Sequence, residues 1–233
     1  MMSLLISLAL FAQTAEEPPV QMEEAAETLS EVQPETTTAT DPVTEPPAAN
    51  FDRNGRLASI NTYLNGIGSL RARFSQVAPD GSLATGVLSL QRPGRLRFQY
   101  DEPSPIRVIA DGTTVAIEDQ ALETVDRIPL RSTPVWWLLK DEINLAEDAE
   151  IAGMFSEYGF FYLTLRDPSG EMEGEIMFVF AEPSLELREW YVTDALGEIT
   201  RVSLSDVETG MRLDPRLFRI PEPEDRRDSR RGR

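Results

Sequence analysis

Between residues 69 and 129 the sequence is cut into six short runs in which apolar and polar residues alternate. They read "LRARFSQV", "SLATGVLSLQ", "RLRFQYDEP", "IRVIADG", "TTVAIED" and "ETVDRIPL". Pro79-Asp80-Gly81, Pro93-Gly94, Pro103 and Pro105, Asp111-Gly112 and Asp119 punctuate them. A period of two gives each strand one apolar row, and breaks at such short intervals join neighbours antiparallel. No other feature constrains the fold as tightly, because so many strands in so little chain leave room only for a meander.

The same period returns later in "EIAGMFSEYGFFYLTLRD", "GEIMFVFAE", "LELREWYVTD" and "EITRVSLSDVETG", with turns at Tyr158-Gly159 and Ala195-Leu196-Gly197. The expected fold class is mainly β (α+β). It is a curved antiparallel sheet of about ten or eleven strands, with two or three helices as its cover. A sheet of that size curls, and its concave apolar face requires cover. With so few helices to supply it, the face either closes into a barrel with its own core or stays an open half-barrel with a partly filled hollow. An under-filled apolar hollow is a binding site for a greasy ligand.

Three segments read as helical. In "FDRNGRLASINTYLNGIGSL", Leu57, Ile60, Leu64 and Ile67 form one stripe, with Asp52 or Asn54 as N-cap and Gly66 or Gly68 as the stop. In "STPVWWLLKDEINL", Ser132 or Thr133 is placed as cap and Pro134 as first helical residue of a short, apolar helix from Thr133 to Leu139. "DPRLF" closes the domain with a helical turn. The runs "YDEP", "EDQALE" and "KDEINLAEDAE" read as solvated carboxylate faces.

Composition removes whole classes of chemistry. There is no cysteine and no histidine, so thiolate metal sites, disulfides, the usual zinc sites and histidine-assisted nucleophiles are all absent. Lys140 is the sole lysine and follows no glycine-rich loop. We therefore expect no enzyme, no cofactor and no metal. The net charge of −18 disfavours nucleic acid and anionic bilayers. Residues 51–221 hold 27 acids against 17 bases, so the body itself is acidic.

The organisation expected along the chain has four parts. Residues 1–15, "MMSLLISLALFAQTA", carry an apolar run at 4–12 that is too short to span a bilayer but suits a signal peptide. Residues 16–50 hold nine acids, no base and many Pro and Thr, the composition of a disordered linker. Residues 51–221 are the folded domain, and 222–233, "EPEDRRDSRRGR", are a polar Arg-rich tail.

In "LSLQRPGRLRFQY", Leu88 and Leu90 share a strand face, and by the same parity Arg92 ends that apolar row. Beyond Pro93-Gly94, Leu96, Phe98 and Tyr100 resume it. An arginine there either bonds to carbonyls at a helix end above the hollow or is a solvated strand-end residue. "F-S-Q", the row "G-x-L-x-L-x-R-P-G-R-L-R-x-x-Y-x-x-P", "V-I-A-D-G" and "P-L-R-S-T-P-x-x-x-L-L" occur in that order. Together they resemble the LolA family, periplasmic carriers that ferry lipoproteins from the inner to the outer membrane. The resemblance covers roughly residues 55–221.

The resemblance implies an incomplete barrel lidded by helices, and a lid latch at Arg92. It implies acyl-chain contacts at Leu96, Phe98 and Tyr100, with Phe74, Leu88, Leu90, Val108, Val115 and Ile117 completing the wall. Val135, Trp136, Trp137 and Leu138 fall on the lid, and Leu57, Ile60, Leu64 and Ile67 on the second covering helix. The implied partners are acylated lipoproteins, an inner-membrane ABC-type lipoprotein-releasing transporter, and an outer-membrane acceptor or the bilayer itself. A soluble monomer in the periplasm is expected. Two other readings stay open: an envelope sensor or regulatory domain of the same half-barrel fold that binds lipid or lipoprotein, and a purely structural barrel.

Overall fold

The computed structural model describes residues 52–172 and 174–221. The expected signal segment, acidic linker and Arg-rich tail lie outside the described residues. A first helix, α1 (Arg53–Gly66), precedes six strands: β1 (Ser69–Val77), β2 (Leu83–Gln91), β3 (Arg95–Tyr100), β4 (Ile106–Asp111), β5 (Thr114–Asp119) and β6 (Thr124–Pro129). Two four-residue helices follow, α2 (Trp136–Leu139) and α3 (Leu145–Asp148). Five strands complete the order: β7 (Glu150–Glu157), β8 (Phe160–Arg166), β9 (Glu175–Ala181), β10 (Glu186–Thr193) and β11 (Ile199–Thr209).

All eleven strands belong to one antiparallel sheet, in the order β6-β5-β4-β3-β2-β1-β11-β10-β9-β8-β7. The two ends of the order do not pair, so the barrel is incomplete, as the family resemblance implied. The register carries the alternation of the sequence across the sheet. Leu70, Leu90, Leu96, Ala110, Val115 and Ile128 lie opposite one another from β1 to β6 and form one inner row. The neighbouring outer row is Arg71, Ser89, Arg97, Ile109, Ala116 and Arg127. A one-residue slip would exchange these rows, so burying the inner one fixes the pairing.

Helix α1 covers the inner face with the stripe that its spacing predicted. Leu57, Ile60 and Leu64 are buried in the same cluster as the inner rows. Ile67 is also buried but stands one residue beyond the helix, which ends at Gly66. Tyr63 anchors the helix by accepting the Leu187 amide at 3.0 Å. Arg56 pairs with Glu182 at 2.9 Å and stacks over the Phe161 ring.

The lid departs from expectation. Leu130–Ser132 form a 3-10 turn, and α2 begins only at Trp136, behind Val135 with no side-chain cap. Thr133 is no cap: its hydroxyl donates back to the Leu130 carbonyl at 2.7 Å, closing the preceding turn. Pro134 therefore lies before the helix instead of inside it. The run "KDEINLAEDAE" contains α3, whose Leu145 is fully buried, where the carboxylates suggested only a solvated face. "DPRLF" behaves as expected, a 3-10 turn (Pro215–Phe218) in which the Asp214 carboxylate accepts the Arg216 amide at 2.9 Å.

That last turn packs on the outer face of β3 and β4. Arg97 donates to the Leu217 carbonyl and Arg127 to the Pro221 carbonyl, each at 3.1 Å. Outer arginines are thus spent on backbone carbonyls and carboxylates within the domain. One such pair gives a test. The Arg73 guanidinium, helped by the Thr85 hydroxyl, holds the Asp101 carboxyl down at about 2, against an ordinary 3.8. A carboxyl lowered on folding stabilises fully above its unfolded value, and the contribution fades as pH falls through the folded one. Asp101→Asn should therefore lower the melting temperature slightly near neutrality, with the difference shrinking toward about pH 2 and vanishing below it. The pair is solvent-exposed, so the effect is small. Thermal melts of both proteins across that range check it.

Candidate functional site

The inner rows of β1, β2, β10 and β11 meet α1 and α2 around one apolar hollow. Leu64 and Ile67 come from the α1 side, Leu138 from α2, and Leu70, Leu88, Leu90, Leu187, Trp190 and Leu204 from the sheet. What remains open among them is about 20 Å³, room for hardly more than one water. The hollow expected to be only partly filled is, in this conformation, nearly full. Leucines from both helices and the sheet interlock to fill it.

Arg92 stands at the rim of this hollow. Its Nε donates to the Ile67 carbonyl at 2.8 Å and its Nη1 to the Lys140 carbonyl at 3.4 Å. Ile67 follows α1 and Lys140 follows α2, so one guanidinium joins the ends of both covering helices. Backbone bonds run alongside, from the Arg92 amide to the Gly68 carbonyl and from the Gly94 amide to the Leu139 carbonyl, at 2.9 and 2.8 Å. Carbonyls at a helix end are partly negative and lack intrahelical donors, so a cation is well placed there. Burial pushes the Arg92 guanidinium down from its ordinary value, and Asp141 acts against that. Arginine remains charged throughout.

The structure gathers the predicted wall residues in one cluster. Phe74, Leu88, Leu90, Leu96, Phe98, Tyr100, Val108 and Val115 are buried on the inner face, as are Trp137 and Leu138 on the lid. Ile117, Val135 and Trp136 are half-buried against the cluster. Trp136 turns toward Arg131, whose guanidinium lies 5.3 Å from its ring centre. The two tryptophans therefore differ: one is core, the other borders solvent.

Sequence reasoning missed several residues. Leu187, Trp190 and Leu204 line the hollow; Leu187 and Trp190 differ in parity and share a face only through an irregularity in β10 between Leu187 and Glu189, and nothing local showed that β11 returns beside β1. Asn61 and Asn65 were also overlooked. The Asn65 amide donates to the Ile143 carbonyl at 2.8 Å while its oxygen accepts the Ile143 amide at 2.9 Å. The Asn61 oxygen accepts the Leu145 amide at 3.1 Å. Their i, i+4 spacing puts both on one side of α1, the only signal available.

Residues 65–221 match the family model described as outer membrane lipoprotein carrier protein LolA. The chain belongs to the LolA family. An outer-membrane lipoprotein carrier protein of Methylococcus capsulatus is 30% identical over 173 residues, covering 70% of this chain and 82% of the relative. One of Halorhodospira halophila is 29% identical over 191 residues, covering 76% and 86%. Among solved structures, a LolA superfamily protein from Nitrosomonas europaea aligns with a TM-score of 0.42 at 12% identity, over 70% of this chain and 97% of that one.

In this LolA-family chain the lid connection hangs on α1 through asparagine. Asn65→Ala would leave the amide and carbonyl of buried Ile143 without these partners, a loss of about 1–3 kcal/mol. Urea unfolding should show a lower midpoint at unchanged slope.

Proposed function

We propose that this protein is a soluble periplasmic carrier that shields lipoprotein acyl chains in its inner hollow and takes them from the inner to the outer membrane. It binds and releases cargo without catalysing a reaction. Residues 51–221 are the working domain, residues 1–15 are an export signal, and 16–50 precede the domain as an acidic linker.

The observation that carries this reading is the Arg92 bridge. One side chain spans the ends of two covering elements over a continuous apolar face, which is what a reversible closure requires. Membership of the LolA family supports the cargo class. A triacylated anchor has on the order of 40 methylenes at about 0.8 kcal/mol each, so exposing it to water costs on the order of 30 kcal/mol. Such an anchor does not cross an aqueous gap unaided.

Closed, the hollow has no room for even one chain, so loading displaces the lid. The lid is built to allow it. Helix α2 has four residues and no side-chain cap, far below the length at which a helix is stable alone. Cargo that pushes α2 outward parts Lys140 from Arg92 and leaves the arginine bound to Ile67. Without a nucleotide motif in the chain, loading draws on an inner-membrane ABC-type transporter, and unloading runs downhill to an acceptor or the bilayer.

Transfer from inner-membrane vesicles to an acceptor membrane, with transporter and ATP supplied, tests the reading. Depleting the protein should strand lipoproteins at the inner membrane; normal sorting would overturn the proposal. Arg92→Leu should still take up cargo but hand it on poorly, and unchanged transfer would remove the latch. Leu96→Glu places a carboxylate on the inner face and should abolish binding of a fluorescent fatty acid.

A further inference from the structure

The inner face is not uniform along its strands. Around the Arg92 end it is lined mainly by aliphatic side chains, Leu64, Leu70, Leu88, Leu90 and Leu138, with Trp190 the one aromatic ring among the lining residues. Farther in, it becomes aromatic. Phe98 and Tyr100 both stand edge-on to Phe74 with ring centres 5.0 Å away, and Trp190 meets Phe98 at 6.4 Å. The change follows the register. Leu90 faces Leu96, Leu88 faces Phe98, and Gly86 faces both Tyr100 and Phe74.

Two features fix these rings in place. A methyl group on Gly86 would come within 2.6 Å of the Phe74 ring and overlap the Gln99 carbonyl. The absence of a side chain in the middle of β2 is therefore what seats Phe74. Glycine weakens a strand interior, so its presence marks a close approach. The Tyr100 hydroxyl donates to the buried Gln76 oxygen at 2.8 Å. Moving that ring would leave a buried polar group without its partner, and a hydrocarbon has no donor or acceptor to replace it. Burial also raises the Tyr100 hydroxyl well above its ordinary value, so it stays a neutral donor.

We propose that Phe74, Phe98, Tyr100 and Trp190 form a fixed floor, and that acyl chains enter past the lid, displace the aliphatic section, and stop at these rings. The floor, not the lid, then sets the length of chain that the hollow shelters. From Leu90 to Leu88, which faces Phe98, the strand rises about 7 Å, which is the depth open to a chain before it meets the first of the rings. Methylenes beyond that depth remain near the rim, where a membrane or acceptor can reach them. This inference rests on the carrier reading and adds to it a selectivity by chain length.

Displacement of a fluorescent fatty acid from the full chain by saturated fatty acids of increasing length tests the floor. Each methylene that is sheltered tightens binding about four-fold. With wild-type protein, affinity should climb by that factor and then level off at a definite length. Phe98→Ala should move the break to longer chains, and Phe98→Leu should move it less. A wild-type series that climbs with no break, or a break at the same length in both variants, overturns the floor while leaving the carrier reading intact. Failure of every fatty acid to displace the probe from the wild type would instead bring down the carrier reading, and the floor with it. Should Phe98→Ala lose its circular-dichroism signal, Phe98→Leu decides alone.

Discussion

An eleven-stranded sheet that curls without closing has one concave apolar face, and everything else in this molecule answers to the need to cover it. A longer helix and two single-turn helices supply the cover. They succeed because large aliphatic residues reach across from both sides, and because polar bonds at the periphery hold the helices in position. Arg92, Asn61, Asn65 and Tyr63 all work at that periphery, each bonding to backbone groups that helix ends, loops or strand ends leave free. Apolar contact provides the bulk of the adhesion and sets no direction; the hydrogen bonds decide where each helix sits.

The cover is uneven in strength. Helix α1 has an uninterrupted buried stripe, a cation over Phe161, and bonds to β10 and to the lid connection. Helix α2 holds by its leucines, Trp137 and the contacts near Arg92 and Gly94. If one part moves, it is the second, since it has fewer buried side chains and little helix of its own to preserve. The inner wall divides the same way, into leucines near the rim and packed rings at depth. The carrier proposed above, closing when empty and opening when loaded, would be well served by softness near the rim and stiffness at depth.

Much of this was legible in the sequence. Alternation with punctuating Pro, Gly and Asp located the strands, since period-two patterning on a half-buried sheet is strong and local. The face of Arg92 followed from simple parity with Leu88 and Leu90, and its bonds to the Ile67 and Lys140 carbonyls at the rim of the hollow place it there. The lid was harder. "STPVWWLLK" has a cap residue and a proline in suitable places, yet Thr133 serves the turn before it and the helix starts later. A hydroxyl with two carbonyls in reach can be claimed by either, and local sequence does not say which. Helix α3 was hidden because Leu145 is a single buried residue among carboxylates. The occupancy of the hollow was beyond reach altogether: it depends on how leucines from six separate segments interleave, and periodicity carries no volume.

The strand order joins β1, the first strand, directly to β11, the last, in the middle of the sheet. Two meanders can each zip up from local turns, but the seam between them waits for the final strand, more than a hundred residues after the first. Loop closure over that span is slow compared with hairpin formation. A chain emerging from its amino end therefore exposes two half-sheets, each with a bare oily flank and an unpaired edge at the future seam. Such intermediates invite wrong associations, so a chain of this topology benefits from solvating charge while the seam is still open.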